Sequence, residues 1–85
     1  MKTEKNYYQE ISYLFNSVDS KYERPFYRMT EWGYSEKQIE LVCALDYKIT
    51  ALSETVDDVG LVIKPEHRKQ AELLIMDCAR KCCSC

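Results

Sequence analysis

At 85 residues the chain has the length of one domain with a small core. Fourteen acidic and twelve basic side chains leave a formal charge of −2, too balanced for the overall field to draw in nucleic acid or an anionic membrane. Two glycines and two prolines disfavour a many-stranded sheet and favour long helices, and no stretch approaches the roughly 18 apolar residues of a membrane span.

The start, MKTEKNYYQE, lacks the apolar core of a signal peptide. The expected location is therefore cytoplasmic, where cysteines are usually free thiols. The expected fold class is all-α: a small helical bundle of three longer helices plus one short helix, in a single domain over residues 1–85.

The first predicted helix runs from about Thr3 to Asp19 or Ser20. At roughly 100° per residue, Tyr7, Tyr8, Ile11, Leu14, Phe15, Val18 and Tyr22 share one face. Tyr13 falls outside it and is expected to meet solvent or a partner. In the following YERPFYRMTEWGYS, Pro25 suits the first position of a short helix reaching about Trp32. Gly33 can close that helix in the left-handed conformation. Ser35 then caps the next helix, and Gln38 completes a capping box.

The third predicted helix spans about Glu36 to Val56. Leu41, Val42, Leu45, Ile49, Leu52 and Val56 fall within an arc of about 100°, the width of a core-facing stripe. Ala44 and Ala51 form a small-residue strip beside Tyr47, where another helix is expected to approach. Asp57, Asp58 and Gly60 are expected to end this helix, with both carboxylates at the unfavourable end of its dipole. Leu61, Val62 and Ile63 are too few for an independent strand pair and read as a buried connection. Pro65 starts the fourth helix, which runs to about Cys82. Ala71, Leu74, Ile75, Cys78 and Cys82 face the core, and Leu73 and Met76 face away.

Four of the five cysteines lie in the closing CARKCCSC. Cys78 and Cys82, one turn apart on the core face, are explained by burial as small hydrophobes. The tail's alternatives are intermolecular disulfides, redox-sensitive thiols or a metal site. Zinc held by these four alone would need the adjacent Cys82 and Cys83 to share an ion with a thiolate one turn back, whereas structural sites usually join separated pairs. Packing is the expectation, with no metal and no cofactor. His67 is the one histidine, flanked by Arg68 and Lys69 and expected at the surface. Cys78 lies about 16 Å further along the same helix by helical rise, too far for a Cys–His pair. Gly-rich phosphate loops, H-E-x-x-H and EF-hand patterns are absent from the sequence. The chain is expected to be no enzyme, with no catalytic residues.

TEWGYSEKQI resembles the helix-turn-helix of DNA-binding proteins over about Phe26 to Leu45. Gly33 matches the turn glycine, Ser35 the cap and Ile39 the residue that packs the second helix on the first. The resemblance implies a small DNA-binding regulator. The chain departs from that pattern at Met29, where a small residue normally lets the helices cross. It departs again at Ser35, Glu36, Lys37, Gln38 and Glu40, a helix start that is not basic although phosphate contacts supply most DNA affinity.

Tyr22, Phe26, Tyr27, Trp32 and Tyr34 crowd one segment, with Arg24 and Arg28 among them. They either wedge the short helix onto the core or form a contact surface, since Tyr, Trp and Arg dominate binding hot spots. The candidate partner-binding set is Tyr22, Arg24, Phe26, Tyr27, Arg28, Trp32 and Tyr34, with Leu73 and Met76 on the fourth helix. The expected function is protein–protein interaction, as a homodimer or with a partner protein in its place. Neither nucleic acid nor a membrane is the expected partner. In size and style the chain resembles phage and mobile-element inhibitors of host defence proteins, anti-CRISPR proteins among them. The alternative is the helix-turn-helix-like regulator.

Overall fold

Helical periodicity in the first segment is realised as α1, Glu4–Asn16, in a computed structural model that describes residues 2–16 and 26–84. Thr3 and Asn6 close its first turn reciprocally: the Asn6 amide donates to Thr3 Oγ1 at 3.3 Å, and the Thr3 amide to Asn6 Oδ1 at 2.9 Å. Ile11, Leu14 and Phe15 are buried, and Tyr7 and Tyr8 half-buried. The predicted continuation to Asp19 or Ser20, with Val18 and Tyr22 of its apolar face, lies outside the described residues, as does Pro25.

The short helix is α2, Tyr27–Glu31. It closes as the sequence predicts. Gly33 has φ +82°, its amide donates to the Thr30 carbonyl at 3.1 Å, and the Tyr34 amide donates to the Met29 carbonyl at 3.0 Å. These two bonds form a Schellman closure. Ser35 and Gln38 then make the expected capping box at the start of α3, Glu36–Ala51.

The α3 end corrects the sequence reading. The helix stops at Ala51 rather than Val56. Leu52 caps it, its amide donating a hydrogen bond at 3.0 Å to the Ile49 carbonyl, which also accepts from Ser53 Oγ at 2.7 Å. The chain then forms an antiparallel hairpin, β1 Ser53–Val56 with β2 Gly60–Ile63, in which Ser53 pairs with Ile63 and Val56 with Gly60. The fold is thus mostly helical but not all-α. Asp58 (φ 69°) and Gly60 (φ 102°) take the positive φ values that reverse the chain, so they serve a hairpin turn and not a helix end. The run Leu61–Val62–Ile63 is a strand, contrary to its reading as a buried connection. Its partner strand is rich in β-branched residues, which fit a pleated ribbon. Ile63 anchors the ribbon in the core, while Val56, assigned to the α3 stripe, is 36% exposed.

A 3₁₀ turn, Pro65–His67, leads into α4, Arg68–Ser84. α4 is the central element, packed on one side by α1 and on the other by α3. Ala71, Ile75, Cys78, Ala79 and Cys82 are buried along it, facing Ile11 and Leu14 of α1 and Val42, Leu45 and Ile49 of α3. Each fully buried aliphatic side chain contributes about 1.5–3 kcal/mol of transfer free energy. The outward strip of Ala44 and Ala51 stays exposed, and Tyr47 beside it is 81% exposed, the most of the large hydrophobic side chains among the described residues.

Candidate functional site

The aromatic segment divides between core and surface. Met29 is buried beneath α2, and Phe26 is half-buried with its ring edge-on to Phe15 at 5.9 Å. Tyr34, placed by the sequence reading in the contact set, is only 7% exposed. The Schellman closure turns it inward, where its ring meets Tyr7 edge-on at 5.5 Å and its hydroxyl donates to Glu10 Oε1 at 3.0 Å. Burial, with the Glu10 carboxylate beside it, pushes the Tyr34 hydroxyl well above its usual range. Tyr22 and Arg24 lie outside the described residues.

What reaches the surface is a cluster around Arg28. Its guanidinium carbon sits 5.3 Å from the Tyr13 ring centre and 5.6 Å from that of Tyr27. Tyr13 in turn meets Trp32 edge-on at 6.1 Å. Tyr27 is 63% and Tyr13 39% exposed. Cation–π contacts of this kind hold a long side chain and its rings in one arrangement. Tyr13, expected at solvent or a partner, joins the cluster from α1; its signal in the sequence is an aromatic side chain off the core face of its helix.

Lys2 carries no local signal of its role. Its Nζ donates to the Trp32 carbonyl at 2.7 Å, across 30 residues, and to Glu10 Oε1 at 2.9 Å. It also stands 4.5 Å from the Tyr34 ring centre. This clamp ties the start of the chain to the end of α2 and fixes Trp32 from behind.

Leu73 and Met76 project from α4 as the sequence predicts, 58% and 49% exposed. Met76 borders a groove of about 480 Å³ between α1 and α4, with Glu4, Lys5, Tyr8 and Ala79.

The cysteines follow the helix faces. Cys78 and Cys82 are buried free thiols, and Cys43 and Cys83 are exposed free thiols. Cys85 lies outside the described residues. A hydrogen bond with Cys82, together with burial, pushes the Cys78 thiol up. Among the described residues no three His, Cys, Asp or Glu side chains gather into a metal-binding group. His67 is half-buried in the 3₁₀ turn rather than fully at the surface, its amide bonded to the Lys64 carbonyl at 2.9 Å.

The turn that resembles a helix-turn-helix is formed by the Schellman closure and the capping box. Its first helix has only five residues. The first turns of α3 expose Glu36, Lys37 and Glu40, two acids against one base. No helix among the described residues is long and apolar enough to cross a membrane. No protein-family model, curated protein or solved structure matches this chain.

Proposed function

We propose that the chain is a small non-enzymatic protein-binding module whose principal contact surface is formed by Tyr13, Tyr27, Arg28 and Trp32. The observation that carries this reading is the Arg28 guanidinium held against the exposed rings of Tyr13 and Tyr27. These are the residue types that dominate binding hot spots. Their mutual contacts lower the ordering cost of binding, because the side chains are arranged before a partner arrives. The outer face of α4, with Leu73 and Met76, is a second contact surface, for another copy of the chain or a partner that replaces it. The proposed setting is the cytoplasm. The proposed role is inhibition of a host defence protein by a phage or mobile element, supported by small size and a mostly helical fold.

The test is affinity capture from the native host with the tagged chain and with Tyr27→Ala. Tyr27 is largely exposed, so the variant keeps its helical circular dichroism. A protein recovered with the parent and reduced at least about tenfold with Tyr27→Ala is the expected result, a loss typical of one hot-spot side chain. Duplex DNA binding that weakens steeply with salt, with no such protein recovered, would favour the helix-turn-helix-like regulator instead.

A further inference from the structure

We propose that Lys2 is a positioning residue for the contact surface: its ammonium, outside the surface itself, sets where the Trp32 ring stands and, through that ring, the arrangement of Tyr13 and Arg28. The consequence for a partner rests on the binding-module reading. The placement of Trp32 is tested without a partner.

α2 has five residues, too few for a helix to persist on its local bonds alone. At its end the Gly33 and Tyr34 amides occupy the Thr30 and Met29 carbonyls, and the Trp32 carbonyl takes its donor from another segment. Lys2 Nζ supplies it at 2.7 Å, while Glu10 Oε1 accepts from the same nitrogen at 2.9 Å. The ammonium also lies 4.5 Å from the Tyr34 ring centre and 5.4 Å from that of Tyr7. Its partners thus come from α1, from the end of α2 and from the residue after Gly33. The Lys2 and Glu10 side chains are 29% and 24% exposed, so salt screens their pair less than a fully solvated one.

With its backbone pinned by Lys2, Trp32 has its ring bracketed by two others. The buried Tyr34 ring stands at 6.3 Å and the half-exposed Tyr13 ring at 6.1 Å. Glu10 and Tyr13 are one turn apart on α1, so one helix carries both the anchor of Lys2 and the ring that Trp32 meets. Arg28 follows, its guanidinium carbon 5.3 Å from the Tyr13 ring centre. Neutralising Lys2 takes the donor from the Trp32 carbonyl and the cation from the face of Tyr34 at once. Trp32 then loses the restraint that keeps it against Tyr13, and a partner must order these side chains as it binds.

Trp32 is the one tryptophan of the chain, so its emission reads the clamp directly in the full-length protein. Lys2→Met keeps the length of the stem without the charge. It is expected to shift the emission to the red and to raise quenching by acrylamide, with helical circular dichroism unchanged. Lys2→Arg, which keeps a cation and N–H donors, is expected to match the parent. Lys2→Gln, neutral but polar, should follow Lys2→Met and replaces it if that variant loses helix. Toward the protein captured through Tyr27, Lys2→Met should weaken binding about three- to tenfold, the cost of ordering one freed side chain, and Lys2→Arg should not. Emission and quenching unchanged in the neutral variants overturn the proposal. Equal shifts in Lys2→Met and Lys2→Arg overturn it too, because the charge then plays no part. So does a shifted emission with binding to the Tyr27-dependent partner unchanged, which would leave Lys2 a purely structural role. If no captured protein depends on Tyr27, the binding-module reading falls, and the emission difference between Lys2→Met and Lys2→Arg alone upholds or overturns the placement of Trp32 by Lys2.

Discussion

Gln38 Nε2 donates to the Cys82 carbonyl at 3.0 Å, joining the first turn of α3 to the last turn of α4 across 44 residues. The same side chain donates to the Tyr7 hydroxyl at 3.2 Å and accepts from the Ser35 amide at 2.8 Å. One amide thus completes a capping box, satisfies a carbonyl at a helix C-terminus and reaches α1. It is the buried polar residue among the described side chains, 8% exposed, and its donors and acceptor are all engaged.

Gln38→Ala is therefore expected to destabilise the protein by about 2–4 kcal/mol, since it removes three bonds and leaves a carbonyl without its donor. Ser35→Ala removes the local cap alone and should cost about 1 kcal/mol. Urea midpoints compare the two. Equal effects would mean that the bridge to α4 contributes nothing.

Gly33→Ala isolates a backbone effect. A Cβ at Gly33 would meet no atom within 4 Å, so space is not the obstacle. The φ of +82° is, and it should cost about 1–2 kcal/mol. Gly33→Asn should recover part of that loss, because Asn tolerates the left-handed region better. Equal losses for Ala and Asn would point to another cause.

Tyr34 makes stability fall in alkali. In the unfolded chain its hydroxyl ionises near 10.0, whereas burial and Glu10 keep it protonated in the fold. The unfolded chain therefore binds fewer protons above that pH, and the stability slope is negative there. The contribution is complete below about pH 10 and falls as pH rises beyond it. The stability difference between the parent and Tyr34→Phe should shrink between pH 8 and pH 11, read from urea midpoints. A constant difference would place the hydroxyl in water.

The thiols should react in two classes. Cys43 and Cys83 are exposed and should be alkylated quickly in the native protein, whereas Cys78 and Cys82 should react only as it unfolds. Cys83→Ser should change stability by less than about 0.5 kcal/mol, and Cys82→Ser should cost about 1–3 kcal/mol by burying a hydroxyl in a thiol's place. Mass spectrometry after timed alkylation reads the first, and urea midpoints the second. Rapid native labelling of Cys82 would contradict its burial.

Features encoded within a few residues were legible without coordinates. The closure at Gly33, the Ser35–Gln38 box and the inward Cys78 and Cys82 all depend on spacings of three to five residues, which a helix converts directly into contact or a shared face. The hairpin was not legible, because Leu52 and Val56 continue the apolar spacing of α3 and strands of four residues carry little signal alone. Burial of Ile63 against the helices outweighs that local preference. Tyr34 read as a surface ring because the neighbouring sequence is rich in rings. Its inward turn depends on Tyr7 and Glu10, more than twenty residues away. The same holds for Lys2 on Trp32 and Gln38 on Cys82. Hydrogen bonds and packing between distant segments arise only after the helices have met, so periodicity along the chain contains no record of them.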